Sequence, residues 1–183
     1  AGQILPKGTV ITLEELHDTI QADTLVIKPL VSGGAKNTLK IQRGAGKEVA
    51  QKVASLLQEE DFLVQRYIPE IVEVGEYSLL FFNEVFSHAV LKSPAVDDFR
   101  VQHYYGGTIQ EILPSESMLA AAQALVTTFA KGSLYARVDG VEIDGVFHLM
   151  ELELIEPYLF LGLSEKAIPN YKAALKKRLL EYS

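Results

Sequence analysis

Tyr135-Ala136-Arg137-Val138-Asp139-Gly140-Val141-Glu142-Ile143, then Asp144-Gly145, then Val146-Phe147-His148-Leu149-Met150-Glu151-Leu152-Glu153-Leu154-Ile155 is the stretch that decides the fold. Two strand-like runs around Asp144-Gly145 are the strongest short-range sign of a β-hairpin. Residues two apart on a strand share a face. Tyr135, Arg137, Asp139 and Val141 therefore share one side of the first strand, and Glu151, Glu153 and Ile155 one side of the second. The opposite sides carry Ala136, Val138 and Gly140, and Met150, Leu152 and Leu154, which read as core.

Neighbouring strands must bury the same face of a sheet. A symmetric two-residue turn would set Asp139 against Met150 and break that agreement. A three-residue connection over 144–146 sets Asp139 against Glu151 and Arg137 against Glu153, and that register is expected. Directly opposed like charges destabilise a sheet, so three carboxylates on one face need cations. Arg137 supplies one charge. A pair of Mg2+ ions, hard ions that take oxygen ligands, would supply the rest. The competing reading is a solvated acidic face with one ordinary Arg–Glu pair. The apolar density of residues 149–155, charged only at Glu151 and Glu153, argues against it.

Outward from the hairpin the chain alternates strands and helices. Strand signals fall at Val10-Ile11-Thr12, 25–28, 38–42 and 62–65. Thr12 with Glu15 makes a capping box for a helix through about residue 21. Val49, Val53, Leu56 and Leu57 form one stripe of a helix over 47–58, which Gly44-Ala45-Gly46-Lys47 opens. Residues 77–82 and 85–92 flank Asn83-Glu84 as a second hairpin. A helix over 115–130 turns Met118, Leu119, Ala122, Leu125, Val126 and Phe129 inward. A last helix follows Pro169, its Lys172, Lys176, Lys177 and Arg178 forming a solvated face. This predicts an α+β chain of two lobes with antiparallel sheets, 1–66 and 67–183.

With 183 residues, 48% hydrophobic and 22% charged, the chain can bury an ordinary globular core. A net charge of −7 speaks against general attraction to nucleic acid. No apolar run approaches the roughly 20 residues of a membrane span, and no signal segment opens the chain. The lack of cysteine excludes disulfides and thiolate chemistry and agrees with a cytoplasmic location. His17, His88, His103 and His148 are dispersed without metal-ligand spacing. Alternation puts His148 on the core side near Glu142. Ala1-Gly2-Gln3-Ile4 reads as the middle of a longer protein, so a trimmed chain is expected.

Lys28 ends an apolar strand, and Ser32-Gly33-Gly34-Ala35 follows at once. A glycine-rich turn lets backbone N–H groups approach a phosphate, and a nearby lysine adds a point charge. No Walker A or dinucleotide fingerprint is present, and a plain β-turn with a surface lysine explains so short a motif equally.

In order along the chain, Val26-Ile27-Lys28-Pro29, Ser32-Gly33-Gly34-Ala35, Val64-Gln65-Arg66-Tyr67-Ile68-Pro69-Glu70-Ile71 and Gly75-Glu76-Tyr77-Ser78 are followed by Phe99-Arg100-Val101-Gln102 with Gly106-Gly107. Ala136-Arg137-Val138-Asp139 and Met150-Glu151-Leu152-Glu153-Leu154-Ile155-Glu156-Pro157 complete the series. The whole resembles the ATP-grasp superfamily, in the branch of bacterial glutathione synthetase, ribosomal-protein glutamate ligases and cycloserine-type ligases. The resemblance implies two α+β lobes clasping ATP, and an ADP-forming ligase that joins a carboxylate to an amine or thiol through an acyl phosphate. Lys28 would contact the ATP phosphates and adenine edge, and Ser32, Gly33, Gly34 and Ala35 would cover the β- and γ-phosphates. Gln65, Arg66, Tyr67 and Ile68 would be the hinge that reads adenine. Glu73 or, preferably, Glu76 would hold the ribose hydroxyls, and Lys92 would be a second cation near the phosphates. Arg100 would meet the acyl phosphate or substrate carboxylate, and Arg137 the transferring phosphoryl group. Asp139, Glu151 and Glu153 would hold two Mg2+ ions, with Mn2+ as an alternative.

The family usually has asparagine where this chain has Glu153, which puts metal affinity in question. It also carries an N-terminal substrate domain of which this chain has almost nothing. The partners implied are small-molecule carboxylates and amines, with neither nucleic acid nor membrane; related enzymes often form homo-oligomers. Two rival readings stay open. A kinase on the same scaffold would want more basic residues in the acceptor pocket than Arg100 and Lys92. A non-catalytic nucleotide-binding module would have no need of Asp139, Glu151 and Arg137 together.

Overall fold

The computed structural model describes residues 2–31, 36–95 and 107–181. It divides into two units, Ala1–Ile68 and Pro69–Ser183. The first runs β1 (Gln3–Leu5), α1 (Leu13–Ile20), β2 (Thr24–Pro29), β3 (Leu39–Gln42), α2 (Lys47–Leu56) and β4 (Phe62–Arg66). Its antiparallel sheet has the order β1-β4-β2-β3. Strand alternation sends Leu25, Ile27, Ile41, Phe62 and Val64 to one face, where they pack with Leu16 of α1 and Val53 and Leu56 of α2. The other face carries Val26, Lys28, Lys40 and Gln65. The capping box forms as expected: Glu15 and Thr12 satisfy each other's backbone N–H groups.

Val10-Ile11-Thr12 is not a strand, and Val10 is 94% exposed. A strand needs a partner, and residues 3–5 already occupy that edge of β4. Gly8, at φ 83°, then turns the chain away, its N–H bonded to the Leu57 carbonyl at 2.7 Å. The extended backbone of Thr12 belongs to the helix cap.

The second unit runs α3 (Glu70–Glu73), β5 (Glu76–Phe82), β6 (Val85–Ser93), β7 (Thr108–Ile112), α4 (Glu116–Phe129), β8 (Tyr135–Ile143), β9 (Val146–Glu153) and α5 (Ala167–Glu181). The sheet order is β7-β6-β5-β8-β9, all antiparallel. Leu79, Phe81, Ala89, Ala136 and Val138 pack on Met118, Ala122 and Val126 of α4. Phe129 departs from its expected inward place. It is 65% exposed and lines an open apolar groove with Phe147 and Leu149, because among the described residues no strand lies beyond β9 to cover it. On the opposite face, Leu80 and Val90 pack against Phe160, and the Phe82 ring meets Tyr171 of α5 edge-on at 5.3 Å. Helix α5 starts two residues before Pro169, which is tolerated in a first turn where no N–H partner is required. Lys172, Lys176 and Lys177 are exposed as expected, whereas Arg178 is partly covered and donates to the Gly132 carbonyl. Among the described residues no helix is long and apolar enough to cross a membrane.

The β8–β9 hairpin reaches the expected register by a different device. Ile143 pairs with Val146, so the turn has two residues, with Asp144 and Gly145 both left-handed at φ 50° and 76°. The shift comes from a bulge. Gly140 pairs with Leu149 but Asp139 with Glu151, leaving Met150 as the extra residue. Gly140 makes room for it, since a Cβ there would stand 2.3 Å from the Phe147 ring and 2.5 Å from the His148 carbonyl oxygen. Beyond the bulge the faces exchange. His148 is therefore exposed opposite Val141, on the carboxylate side, and Phe147 takes the core-side place opposite Glu142. Strand β9 also ends at Glu153, so Ile155 lies outside it, 85% exposed.

Candidate active site

Four strands of the second unit bring the charged side chains to one sheet face. Cross-strand pairs align Lys92 with Glu76, Ser78 with Asp139, Asp139 with Glu151, and Arg137 with Glu153. Strands β6, β5 and β8 lie inside the sheet, so their charges are carried into a largely water-excluded layer: Asp139 is 1% exposed, Lys92 6% and Arg137 8%. Buried charges persist only when paired and hydrogen-bonded. Here they are. Ser78 Oγ donates to Asp139 Oδ1 at 2.6 Å, and Lys92 Nζ lies 3.3 Å from Oδ2. Arg137 donates from Nε to both oxygens at 3.0 Å and from Nη2 to Oδ2 at 2.8 Å. Nη2 also meets Glu153, and Nη1 donates to the Tyr158 carbonyl at 3.2 Å. Glu76 completes the group, its Oε2 2.5 Å from Lys92 Nζ.

Burial opposes every charge in this cluster, and the neighbours decide the outcome. Burial would push the Asp139 carboxyl up, but the Lys92 ammonium and Arg137 guanidinium overcome it and hold it below the usual carboxylate range. Burial raises Glu76, with only partial relief from Lys92. Burial likewise pushes Glu153 up to about 7 despite Arg137, with Glu151 and Asp139 adding repulsion. Burial would lower Lys92, but Glu76 and Asp139 raise it above its ordinary value.

Asp139, Glu151 and Glu153 each offer a carboxylate oxygen within 4.8 Å of the others. An all-oxygen donor set at this spacing, with one buried, one half-buried and one exposed member, fits a hard divalent cation that also keeps water or ligand oxygens. The residues present therefore suit Mg2+.

Of the other expected residues, Glu73 is exposed on α3. Lys28 sits half-buried on β2 opposite Leu63, and Gln65 lies on β4 opposite Val26. Arg66 is exposed. The Tyr67 N–H bonds the Thr24 carbonyl at 2.8 Å, and its ring lies 3.7 Å from Lys40 Nζ. Ile68 is half-buried at the end of the first unit. Ser32, Gly33, Gly34, Ala35 and Arg100 lie outside the described residues, as does His103. Ser78 had no role in the sequence reading; its signal was a lone hydroxyl two residues from Glu76 in an apolar run. The Tyr158 carbonyl gave no signal, because any residue supplies one.

The sequence and the fold have relatives among known proteins. "Cycloserine biosynthesis protein DcsG" of Streptomyces lavendulae is 29% identical over 168 residues, covering 87% of this chain and 56% of that protein. The crystal structure of D-cycloserine synthetase DcsG superposes with a TM-score of 0.82 at 27% identity, covering 97% of this chain and 64% of the other. D-alanine–D-alanine ligase from Bacillus anthracis complexed with ATP shares the fold, with a TM-score of 0.66 at 19% identity over 96% of this chain and 57% of the other. This chain thus spans less than two thirds of each. The family profile described as prokaryotic glutathione synthetase, ATP-grasp domain, matches residues 4–161, and with the α+β architecture and the carboxylate cluster this establishes that the chain belongs to that ATP-grasp family.

Proposed function

We propose that the protein is an ADP-forming ligase that activates a carboxylate as an acyl phosphate and passes the acyl group to an amine or thiol. The observation that carries this reading is the convergence of Asp139, Glu151 and Glu153 within 4.8 Å, with Arg137 bonded into the same group. A carboxylate does not react with an amine in water until its oxygen becomes a leaving group. Phosphoryl transfer needs neutralised γ-phosphate charge and in-line positioning rather than a side-chain nucleophile. Bound by the three carboxylates, Mg2+, as two ions, would neutralise phosphate oxygens.

The chain's own residues supply the rest. Arg137, already desolvated and fixed by Asp139, Glu153 and the Tyr158 carbonyl, would offer its charge to the transferring group at little reorganisation cost. Lys92 adds a second positive charge on the same face, and Glu76 both holds Lys92 and offers a carboxylate to ribose hydroxyls. Within the first unit, Lys28 would meet the phosphates, Ser32 to Ala35 would cover them against water, and residues 65–68 would read adenine through backbone groups. Arg100 would orient the substrate carboxylate. The first unit serves as the small lobe and the second as the large one. Small-molecule carboxylates and amines as substrates, with neither nucleic acid nor membrane as a partner, a cytoplasmic location and self-association belong to the same proposal.

The test is ADP release from Mg-ATP by the full-length protein, offered mixtures of amino acids and small carboxylic acids. Asp139→Asn and Glu151→Gln should abolish the signal. Full activity in both variants rejects the site.

A further inference from the structure

His88 belongs to no part of the site described so far, yet it stands on the same sheet face. It is 3% exposed on β6 and pairs with Leu80, which pairs in turn with Arg137. A register shift between Leu80 and Phe81 leaves Ser87 as an extra residue, so Ser87 and His88 both engage the same neighbourhood. His88 Nε2 lies 3.0 Å from the Leu159 carbonyl oxygen, an acceptor only, so Nε2 carries the proton. Nδ1 then accepts from Ser87 Oγ at 3.0 Å, and Ser87 Oγ accepts from Asn170 Nδ2 of α5 at 3.1 Å. The relay from α5 to β6 fixes one tautomer and aims one donor at the segment after β9.

That segment holds Arg137. The Tyr158 carbonyl accepts from Arg137 Nη1 at 3.2 Å, and the guanidinium carbon lies 5.8 Å from the centre of the Phe160 ring. Phe160 is 5% exposed, packs on Leu80 and Val90, and meets Tyr158 edge-on at 4.9 Å. Its backbone is left-handed at φ 50°. A bulky residue keeps that conformation only where its surroundings over-determine it. Both neighbours of Leu159 thus touch Arg137, and the Leu159 carbonyl between them is a hydrogen-bonded point at which the sheet holds the segment.

We infer that His88 is a positioning residue for Arg137, acting through the Leu159 carbonyl. The catalytic consequence rests on the ligase reading; the positioning itself does not. Hydrogen exchange at the Arg137 Nε–H of the full chain, read by NMR and identified by its loss in Arg137→Lys, tests the positioning directly. Glutamine can place its amide N–H where Nε2 stands, whereas asparagine reaches only the Nδ1 position. The two variants keep similar polarity, so a difference between them reports the hydrogen bond rather than general packing. His88→Asn should speed exchange by roughly tenfold, the order of one lost buried hydrogen bond, and His88→Gln should restore most of the protection. Equal exchange in His88→Asn and the parent protein, or glutamine no better than asparagine, overturns the inference. In the ADP-release assay His88→Asn should lower kcat with little change in KM for Mg-ATP. If no form turns over, the ligase reading falls and the exchange comparison still decides this one.

Discussion

Ser78 and Asp139 face each other across β5 and β8, and the serine hydroxyl donates to Asp139 Oδ1 over 2.6 Å in a layer closed to solvent. Arg137 and Lys92 reach the same carboxylate, so Ser78→Ala removes one of several donors rather than orphaning the charge. Hydrogen bonds to charged groups contribute about 1.5–3 kcal/mol. Urea denaturation should show a loss of that order. An unchanged midpoint would mean that the hydroxyl is a spectator.

The three expected metal ligands differ in burial, and this separates two kinds of damage. Asp139→Asn leaves Lys92 and Arg137 without their shared counter-charge. Breaking a buried pair typically costs about 3–5 kcal/mol. Glu151 is exposed. Glu151→Gln should therefore abolish ADP release at nearly unchanged stability, while Asp139→Asn loses both. Thermal melts beside the activity assay check this. Equal destabilisation by the two variants contradicts the described burial.

Glu76 and Lys92 form a buried pair that Lys92 shares with Asp139. Lys92→Met should be more destabilising than Glu76→Gln, because it deprives two carboxylates of a partner instead of one ammonium. The double variant should recover part of the sum, with a coupling of about 1–3 kcal/mol. Strict additivity in a denaturation cycle would be the contrary result.

The hairpin shows how far sequence reasoning reaches and where it stops. Asp144-Gly145 marks its own turn, and Thr12 with Glu15 marks its helix, because both are local chemistry. The pairing of Asp139 with Glu151 was legible from the need to keep like faces together. The bulge at Met150 that achieves it was not, since Met150 is an ordinary core residue and only Gly140 hints at a close approach. Strand β7, Thr-Ile-Gln-Glu-Ile at 108–112, is an edge strand with mostly polar side chains and lacks the alternation that betrays β8. The Tyr158 and Leu159 carbonyls are backbone groups, to which sequence is blind.

Gly140 makes that hidden feature testable. A methyl group there would meet the Phe147 ring at 2.3 Å and the His148 carbonyl at 2.5 Å. The ring can rotate, but the carbonyl belongs to the bulged strand itself. Gly140→Ala should destabilise the protein by about 1–3 kcal/mol, as overpacking does. It should also disturb the position of Glu151 and so weaken Mn2+ binding. Wild-type stability and Mn2+ affinity in this variant would show that the bulge tolerates a side chain.

His88 gives a pH dependence whose sign can be fixed. Burial pushes its imidazole below the ordinary value of 6.5, while the Leu159 carbonyl and the Glu111 carboxylate facing it from β7 offset part of the shift. The folded state therefore binds the proton less readily than the unfolded one. Stability rises with pH wherever the unfolded chain holds more protons. The contribution of neutral His88 is complete above pH 6.5 and is lost as pH falls toward the lowered folded value. Glu76 and Glu153, both raised, give slopes of the opposite sign, for Glu153 between pH 4.5 and about 7, so the parent curve alone would mislead. The difference between the parent and His88→Gln cancels them. That difference, from urea denaturation at pH 5 and pH 7.5, should move against the parent protein at the lower pH. A difference independent of pH would mean that His88 is as easily charged in the folded chain as in the unfolded one.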